Sequence, residues 1–477
     1  MTRLFEFIVA LFIVFVLALV VGVLLPSSGH IERSTVVQKD IRHVYDLFDN
    51  YRRFPDYSAL QSSDPSVQYT QSPDKWYGPG ANISWTGNPK GAGNGKLTLV
   101  SATPDFDKVD LTGKATFVWA LQNDWHGHDK QFVINLQRTG EQQKFVRITW
   151  AYNVKYGWNL INRYAGLYIH GRPDALIQFS LKNFGNMLAS IPNVMYGNFG
   201  GSTPLDPSIV ELPQQPVLLM STSAPRDLSE IDTASDKAVA ELQAAAKKLG
   251  LTQVGPRIRF TTNWGDKQYV FDVAIPVNSS TVTLAGKSYT LTAPHAPAPD
   301  NAVAGATSAA GAASVASAGS APASASSAVG PQPGSLDDHG RLIIDHDVRA
   351  MLAFGGKTLE AQWYGSPAGV AVTRMRLEAY ADTHGYPFDD VANRPFDIQA
   401  HGYQTPGPDG KPLAYDQQLF DVYLPLKDGP AKTPEQAAGL YNKTPFNTPA
   451  MATSAPANAS SAPAGAASAP AKAATAG

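Results

Sequence analysis

The sequence contains no cysteine, little charge and no surplus of basic residues, and each shortage excludes a class of function. With 0 Cys among 477 residues, the chain cannot form disulfides, present a thiol nucleophile or build a thiolate metal site. Charged residues make up 16% of the chain and the formal net charge is −2. The composition therefore lacks the basic excess that marks nucleic-acid binding, and no nucleic-acid partner is expected.

Motifs for cofactors, metals and nucleophilic catalysis are also missing. The glycines from Gly91 to Gly95 are not followed by Lys-Ser/Thr and open no helix, so we interpret them as a hairpin turn rather than a phosphate loop. The clusters His126–Asp129 and Asp345–Asp347 are short and have no distant partner at a metal-site spacing. No Gly-x-Ser-x-Gly elbow is present. We predict no cofactor, no metal and no assigned catalytic residue.

One long apolar run opens the chain. Residues 7–25 carry no charge and are about long enough to cross a bilayer as a helix. No Ala-x-Ala site follows, so residues 1–30 are predicted to be an uncleaved transmembrane anchor, with a cleaved signal peptide as the alternative. We favour a single-pass protein of the bacterial inner membrane with periplasmic soluble domains, although Arg33, Lys39 and Arg42 would favour the reverse orientation.

The rest of the chain divides by composition, and its length favours two or three domains. Segments 293–335 and 429–477 consist largely of Ala, Ser, Pro and Gly, so they are predicted to be a disordered linker and a disordered tail. A first domain is predicted at 31–200. A second is predicted as two parts, 214–292 and 336–428, which the linker separates.

The first domain follows the order strand, helix, several strands, helix. Residues 31–37 form the first predicted strand, Asp40 caps the first helix, and a long helix follows Pro173. Further strand-like runs separated by turn residues are 81–86, 95–102, 108–111, 116–122, 131–137 and 145–152.

This order resembles the helix-grip fold of the START-like (SRPBCC) superfamily, which includes proteins labelled polyketide cyclase/dehydrase and lipid transport. The residues that carry the resemblance are Glu32 to Ser34, Asp49 to Pro55, Gly80 with Trp85, Gly91-x-Gly93-x-Gly95, and Arg163-Tyr164. The resemblance implies a deep apolar cavity between the sheet and the C-terminal helix. It also implies lipid-like ligands, with enzymatic activity in some members only.

The second domain contains a repeated sequence segment. The segment from Phe271 to Val277 returns as the segment from Phe420 to Leu426, each after a strand, a helix and another strand. The first helix is predicted to begin with Ser229 as its N-cap, and the second begins at Ser366-Pro367. We interpret the pattern as a duplicated strand-helix-strand-strand unit.

The alternation of side chains along a strand predicts which face the acidic residues of the two repeated segments occupy. Phe271, Val273 and Ile275 fall on one face and should pack on the helix, which places Asp272 on the other face. The same alternation puts Asp421 and Tyr423 opposite Phe420, Val422 and Leu424. The acids then line a shared groove, or alternatively are two exposed acids on an open sheet.

The second domain resembles the GyrI-like effector-binding fold in Gly255-Pro256, Arg394-Pro395, Trp363 to Gly365 and the two Pro-ended strands. Two departures are the linker between the repeats and the lack of a preceding helix-turn-helix, so transcriptional regulation is not implied. Members bind lipophilic, often cationic ligands with aromatic residues around a buried acid. The ligand-binding residues that the resemblance implies here are Asp272, Asp421, Trp363, Tyr403 and Tyr423.

The sequence therefore predicts an α+β, membrane-anchored binding protein for hydrophobic or amphipathic small molecules, joining a helix-grip domain to a GyrI-like domain. One alternative is an enzyme on such ligands, polyketide cyclase-like or a hydrolase, using Asp421 and Tyr423. A third alternative is a structural envelope protein whose cavities are filled by side chains.

Overall fold

The computed structural model describes residues 2–72, 75–196, 207–264, 267–296, 332–388, 393–401 and 413–427. Within these ranges the chain is a mixed α+β protein with an N-terminal apolar helix and two large antiparallel sheets. Helix α1 (Thr2–Leu24) is long and apolar enough from Arg3 onward to cross a membrane. The predicted tail 429–477, most of the predicted linker and Tyr403 lie outside the described residues.

The first sheet has seven strands, in the spatial order β1-β7-β6-β5-β4-β3-β2. They are β1 (Ser28–Val37), β2 (Gln68–Gln71), β3 (Asn82–Thr86), β4 (Gly95–Thr103), β5 (Lys114–Asn123), β6 (His128–Thr139) and β7 (Phe145–Lys155). The helices around it are α2 (Ile41–Asp49), α3 (Phe54–Tyr57), α4 (Leu60–Ser63), α5 (Phe106–Thr112), α6 (Leu160–Ala165) and α7 (Arg172–Ser190), with 3-10 turns at Glu141–Gln143 and Gly166–Tyr168.

The predicted helix starts of this region are confirmed, and one predicted strand is wrong. Asp40 caps α2 by accepting a hydrogen bond from the amide of Arg42, and α7 spans the predicted C-terminal helix. Residues 108–111, expected as a strand, lie in α5. An alternating run of four residues is too short to separate a strand from one helical turn, and Gly113, at φ 61°, ends the helix with a left-handed cap.

A single aromatic core fills the space between this sheet and α7. Phe48 of α2 stacks on Phe184 of α7 with ring centroids 4.4 Å apart, and both rings are fully buried. Trp119 and Trp150 from the sheet pack edge-to-face at 5.5 Å in the same core. The sheet, α2 and α7 are therefore joined in the manner expected of a helix-grip domain.

The second sheet has nine strands in the order β14-β15-β9-β11-β10-β17-β18-β16-β8. They are β8 (Ser208–Leu212), β9 (Gln215–Pro225), β10 (Ile258–Trp264), β11 (Gln268–Pro276), β14 (Leu342–Ile343), β15 (Val348–Ala353), β16 (Gly356–Tyr364), β17 (Phe396–His401) and β18 (Leu419–Pro425). Two helices, α8 (Leu228–Lys248) and α9 (Ala368–His384), a 3-10 turn (Tyr415–Gln417) and a separate hairpin of β12 (Thr281–Leu284) and β13 (Lys287–Thr290) complete the region.

The faces of β11 and β18 are as predicted. Phe271, Val273 and Ile275 pack with the apolar face of α8. The segment from Phe420 to Leu424 contributes its alternate residues to the core that contains α9. The predicted cap of α8 is wrong, because the carboxylate of Asp227 accepts the amide hydrogen bonds of Ser229 and Glu230.

The nine-stranded sheet is strongly curled. Only two residues join β8 to β9 although these strands stand six positions apart in the sheet, a distance of about 29 Å if the sheet were flat. The three steps from Leu212 to Gln215 can span about 11 Å at most. The equally short link from β15 to β16 meets the first one, since a Cβ on Gly355 would lie 2.4 Å from the backbone nitrogen of Gln214.

The two sheets are tied together through α9. Asn50 donates from Nδ2 to the carbonyl of Thr383 at 3.1 Å. The hydroxyl of Tyr196 donates to the carboxylate of Asp46 at 2.6 Å and lies 2.8 Å from the hydroxyl of Thr383. Burial raises the pKa of Asp46 well above its ordinary value and lowers that of the neighbouring His384 to about 3. This part of the junction is therefore a buried hydrogen-bonded network, and beside it Arg53 forms an ion pair with Asp382 of α9, with Nη1 and Oδ1 3.8 Å apart.

Candidate functional site

Asp272 and Asp421 both lie on the inner face of the curled sheet. Asp272 is 2% exposed and Asp421 is 1% exposed, so neither is a surface acid. Each accepts a hydrogen bond from the strand beside it: the Ser221 hydroxyl donates to Asp272 at 2.6 Å, and Gln362 Nε2 donates to Asp421 at 2.8 Å. The alternative of two exposed acids on an open sheet is therefore wrong.

The buried carboxylate of Asp272 is held by two partly exposed arginines. Its Oδ2 accepts a hydrogen bond from the guanidinium of Arg394, and Nη1 of Arg341 lies 3.4 Å away. With Ser221 on the other oxygen, both carboxylate oxygens have donors. A cationic ligand would have to displace an arginine from this carboxylate, so the arrangement is that of a structural ion pair.

Asp421 lies in a different environment. Among the described residues no cation is found in an ion pair with it, and burial raises its pKa to about 6 against the opposing hydrogen bond from Gln362. Glu360, two residues from Gln362 along β16, has its pKa raised to about 7 by burial and by the charge of Asp421. Tyr423 pairs with Glu360 across β18 and β16. Burial, together with the charges of Glu360 and Asp421, holds the pKa of Tyr423 well above its ordinary value. These groups form the acid cluster, namely Asp421, Glu360, Gln362 and Tyr423.

The two acids do not share an open groove. Phe260 and Phe396 occupy the inner face between them, with ring centroids 5.5 Å apart, and Phe396 stacks on Tyr423 at 5.0 Å. Three strand spacings separate β11 from β18, about 14 Å measured along the sheet. A cavity of about 20 Å³ lies beside Phe260 on the Asp272 side. The expected groove is therefore filled by side chains between its two carboxylates.

The other predicted ligand residues are not gathered around Asp421. Trp363 pairs with Phe420 across β16 and β18, so it lies on the helix face of the sheet. Its Nε1 donates to the carbonyl of Ser366 at 2.7 Å, and its ring closely covers Gly369. Tyr403 lies outside the described residues. The structure brings Asp421 and Tyr423 together and adds Glu360 and Gln362, which alternation along β16 could have indicated.

Among the residues that the structure describes, side chains fill the place of the deep cavity that the START-like resemblance implies. The space between the sheet and α7, lined by Phe54, Trp85, Phe132, Trp150 and neighbouring side chains, amounts to about 10 Å³. Such a volume is at the limit for one water molecule. The expectation of a deep ligand cavity is therefore corrected, because large aromatic side chains occupy it.

A larger opening lies at the mouth of the same interior, and we call it the α7 cleft. Its volume is about 410 Å³. The walls come from α4, the loop at residues 90–92, Trp125 and α7. The lining residues are Ala59, Leu60, Ser62, Ser63, Lys90, Gly91, Ala92, Trp125, Arg172, Ala175, Leu176, Phe179 and Asn183.

The rim of the α7 cleft is held by specific hydrogen bonds. Arg172 donates to the carbonyls of Lys90 at 2.6 Å and Gly91 at 3.2 Å, which joins the start of α7 to the loop. Asp64 fixes the loop from inside by accepting the amides of Asn88 at 2.7 Å and Ala92 at 3.1 Å. The glycine run is thus a turn between β3 and β4, as predicted, and it forms one wall of the cleft.

A depression of about 600 Å³ lies on the outer face of the first sheet. It is lined mostly by polar side chains, among them His30, Gln122, Gln131 and Lys155. Because its walls are the solvent face of four strands, it lacks the apolar lining that small-molecule sites commonly have. The α7 cleft is therefore the better candidate site.

The sequence matches no protein-family model and no curated protein. Among solved structures it is similar to ginseng major latex-like protein 151 from Panax ginseng, at 14% identity over 34% of this chain and 99% of that one, with a TM-score of 0.24. It is also similar to Ara h 8.0201, at 10% identity over 33% of this chain and 99% of that one, with a TM-score of 0.23. A hydrolase from Listeria innocua is similar at 13% identity over 47% of this chain and 92% of that one, with a TM-score of 0.24. These scores are too low to carry an inference about what the chain binds.

Proposed function

We propose that this chain is a membrane-anchored binding protein for hydrophobic or amphipathic small molecules, and that the ligand occupies the α7 cleft. The observation that carries the proposal is the cleft itself: about 410 Å³, within the range of small-molecule sites, with Leu60, Trp125, Leu176 and Phe179 in its walls. Burying roughly 200 Å² of apolar ligand surface there would contribute about 5 kcal/mol.

Charge at the rim narrows the class of ligand. Lys90 and Arg172 line the cleft, and both are cationic at neutral pH. An amphiphile with an apolar body and an anionic or hydroxylated head could place its body against α7 and its head beside Arg172. This differs from the cationic ligands that the GyrI-like resemblance implies for the second sheet.

The membrane anchor is part of the proposal. Helix α1 has the length and composition to span a bilayer, and its last turns pack on α6, where the guanidinium of Arg163 donates to the carbonyl of Val23 at 2.7 Å. Such contacts are expected of a retained helix rather than of a cleaved signal peptide. We place the folded regions on the periplasmic side of a bacterial inner membrane, which reporter fusions to the C-terminal tail would test.

We propose that the second sheet is formed by a pair of GyrI-like repeats, 214–292 and 336–428, which the linker separates. Supporting this assignment, the strands stand in mirrored order, β9-β11-β10 followed by β17-β18-β16. Asp272 and Asp421 occupy corresponding places in the two halves. Because Asp272 is ion-paired, ligand contact in this region would fall to Asp421 and Tyr423.

Binding to the α7 cleft can be tested with the full chain in amphipol and a fluorescent fatty acid. Ala175→Trp would fill the cleft and is expected to weaken saturable binding at least about tenfold, the equivalent of 1.4 kcal/mol. Leu111→Trp, at a position 86% exposed on α5, is the matched control and should bind like the parent. Absence of saturable binding by the parent, or equal binding by Ala175→Trp, would contradict the proposal.

An enzyme remains a second candidate because of the acid cluster. Two carboxyls with pKa values raised to about 6 and about 7 beside a phenol are groups suited to general acid–base catalysis. The inner face beside them is packed with aromatic rings, which is why binding is the conclusion here. Turnover of a bound ester or polyketide that Asp421→Asn abolishes, with binding retained, would favour the enzyme.

A further inference from the structure

A group of large apolar side chains is exposed around α6 and the 3-10 turn that follows it. Trp158 is 82% exposed, Ile161 72%, Leu167 59% and Tyr168 79%. All four lie within eleven consecutive residues of the chain. Single exposed apolar side chains need no explanation, but such a concentration marks an interaction surface.

The same segment is bound to the last turns of α1. The hydroxyl of Tyr164 donates to the carbonyl of Ala18, and Nη1 of Arg163 donates to Val23 and Leu25 at 2.7 and 3.2 Å. The bond to Val23 satisfies one of the carbonyls that the end of a helix leaves without an intrahelical partner. Gly22 permits the close approach, since a Cβ there would lie 3.1 Å from the Tyr164 ring.

The contacts fix the depth of α6 relative to α1. Ala18 lies six residues before Leu24, which is about 9 Å along a helix. If α1 spans the bilayer, α6 lies beside its last turns, at the level where the acyl chains meet the headgroups. Trp and Tyr are the residues that concentrate at that level, because an apolar ring with a polar atom suits the boundary.

We propose that Trp158, Ile161, Leu167 and Tyr168 form a bilayer-docking surface that inserts into the membrane interface next to α1. The occupant is the phospholipid interface rather than a protein, because the surface is continuous with an apolar helix of membrane-spanning length and is hydrogen-bonded to it. The inference rests on the proposed membrane anchoring and goes beyond it, since an anchor alone does not require the folded region to touch the lipid.

Docking through this surface also sets the position of the α7 cleft. Arg172, on the cleft rim, follows Tyr168 by four residues, and the amide of Gly171 donates to the carbonyl of Tyr168 at 2.8 Å to close the turn between them. The mouth of the cleft thus lies next to the membrane. A ligand dissolved in the lipid could reach it with little exposure to bulk water.

The absence of cysteine makes a depth measurement direct. Full-length Trp158→Cys, Ile161→Cys and Tyr168→Cys variants would each carry one environment-sensitive fluorophore in phosphatidylcholine–phosphatidylglycerol vesicles. Leu111→Cys is the control, because Leu111 is exposed and far from α1. Its neighbour Asp110 forms an ion pair with Arg42, which follows the far end of β1, about 30 Å along that strand from α1. Each substitution removes an exposed side chain, so the core is not disturbed.

Lipids with a spin label in the acyl chain should quench the fluorophore at 158, 161 and 168 by at least about twofold, as interfacial insertion requires, and leave position 111 unchanged. If the three labels are as accessible to aqueous iodide as position 111 while the chain still floats with vesicles after an alkaline wash, docking is wrong and the anchor stands. A chain that fails to float overturns both. Labels shielded from iodide and from spin-labelled lipid alike would mean that a protein, or a second copy, covers the surface instead.

Discussion

One of the joints between the halves of the second sheet, the pairing of β10 with β17, contains a buried ion pair. Strands β10 and β17 meet over three residue pairs, and the central pair is Arg259 with Asp397. Nη2 of Arg259 lies 2.8 Å from Oδ2 of Asp397, and the side chains are 10% and 3% exposed. Burial is the largest single influence and lowers the pKa of Arg259, but Asp397, with smaller contributions from Tyr269 and Asp232, makes the net shift upward. The arginine is therefore charged and has its counterion in the neighbouring strand.

Replacing Asp397 by Asn would keep the shape of the joint and remove the counterion. Breaking a buried ion pair on one side costs about 3–5 kcal/mol, because the remaining charge is left without compensation. For a region of 150–250 residues this corresponds to a fall in melting temperature of about 10 °C. The double variant Arg259→Met with Asp397→Leu removes both charges, so its melting temperature should lie near that of the parent.

Thermal unfolding of the full chain in detergent, followed by circular dichroism, would measure these shifts. Asp129→Asn is the matched control, since its ion pair with Lys155 has both side chains more than half exposed and should contribute nothing measurable. An Asp397→Asn variant that melts with the parent would refute the reasoning. It would mean either that the pair is hydrated or that β10 and β17 do not meet.

Three further variants test other parts of the structure. Because burial raises the pKa of Asp421 to about 6, the unfolded chain loses this proton at lower pH than the folded chain, and the free energy of unfolding falls as pH rises from about 4 to about 6. Asp421→Asn should make the urea midpoint depend less on pH in this range. An unchanged pH dependence would contradict the raised pKa. Gly369→Ala would place a Cβ 2.0 Å from the adjoining tryptophan ring and should cost about 1–3 kcal/mol in urea unfolding. By contrast, the Cβ of Gly185→Ala in α7 would meet nothing within 4 Å, so this variant should be neutral or slightly stabilising. Equal changes in the free energy of unfolding for the two glycine variants would show that the tryptophan ring moves aside freely. Tyr196→Phe removes the hydroxyl donor of a buried aspartate and should cost about 1–3 kcal/mol, whereas the exposed Tyr168→Phe should leave the melting temperature unchanged.

Alternation along strands was predictable because it is a property of the extended backbone. It correctly placed Phe271 on the helix side and Asp272 on the inner face, with no knowledge of neighbouring strands. The same rule applied along β16 would have put Trp363 on the face opposite to that of Asp421. It would have put Glu360 on the face that Asp421 occupies. The family resemblance suggested Trp363 as a ligand residue, and local geometry places it elsewhere.

Residues that meet across long separations were not predictable. Arg341 and Arg394 reach Asp272 from 69 and 122 positions along the chain. Strands β8 and β15 each pair with a strand of the other half, which a local pattern cannot reveal. A sequence pattern can say which face an acid occupies, but whether that acid is free or ion-paired depends on the groups that the fold brings opposite to it.

The filled interiors decide where a ligand can bind. To enter the space behind α7, a ligand would have to separate Phe48 from Phe184, stacked at 4.4 Å, and displace the tryptophans packed around them. Core packing of this kind is costly to open, since each large side chain moved from its place loses several kcal/mol of contacts. The α7 cleft needs no such rearrangement, because its walls already enclose about 410 Å³. Under the proposed function, an amphiphile that arrives from the lipid beside Tyr168 and Arg172 would meet this preformed apolar surface first, above the packed aromatic core.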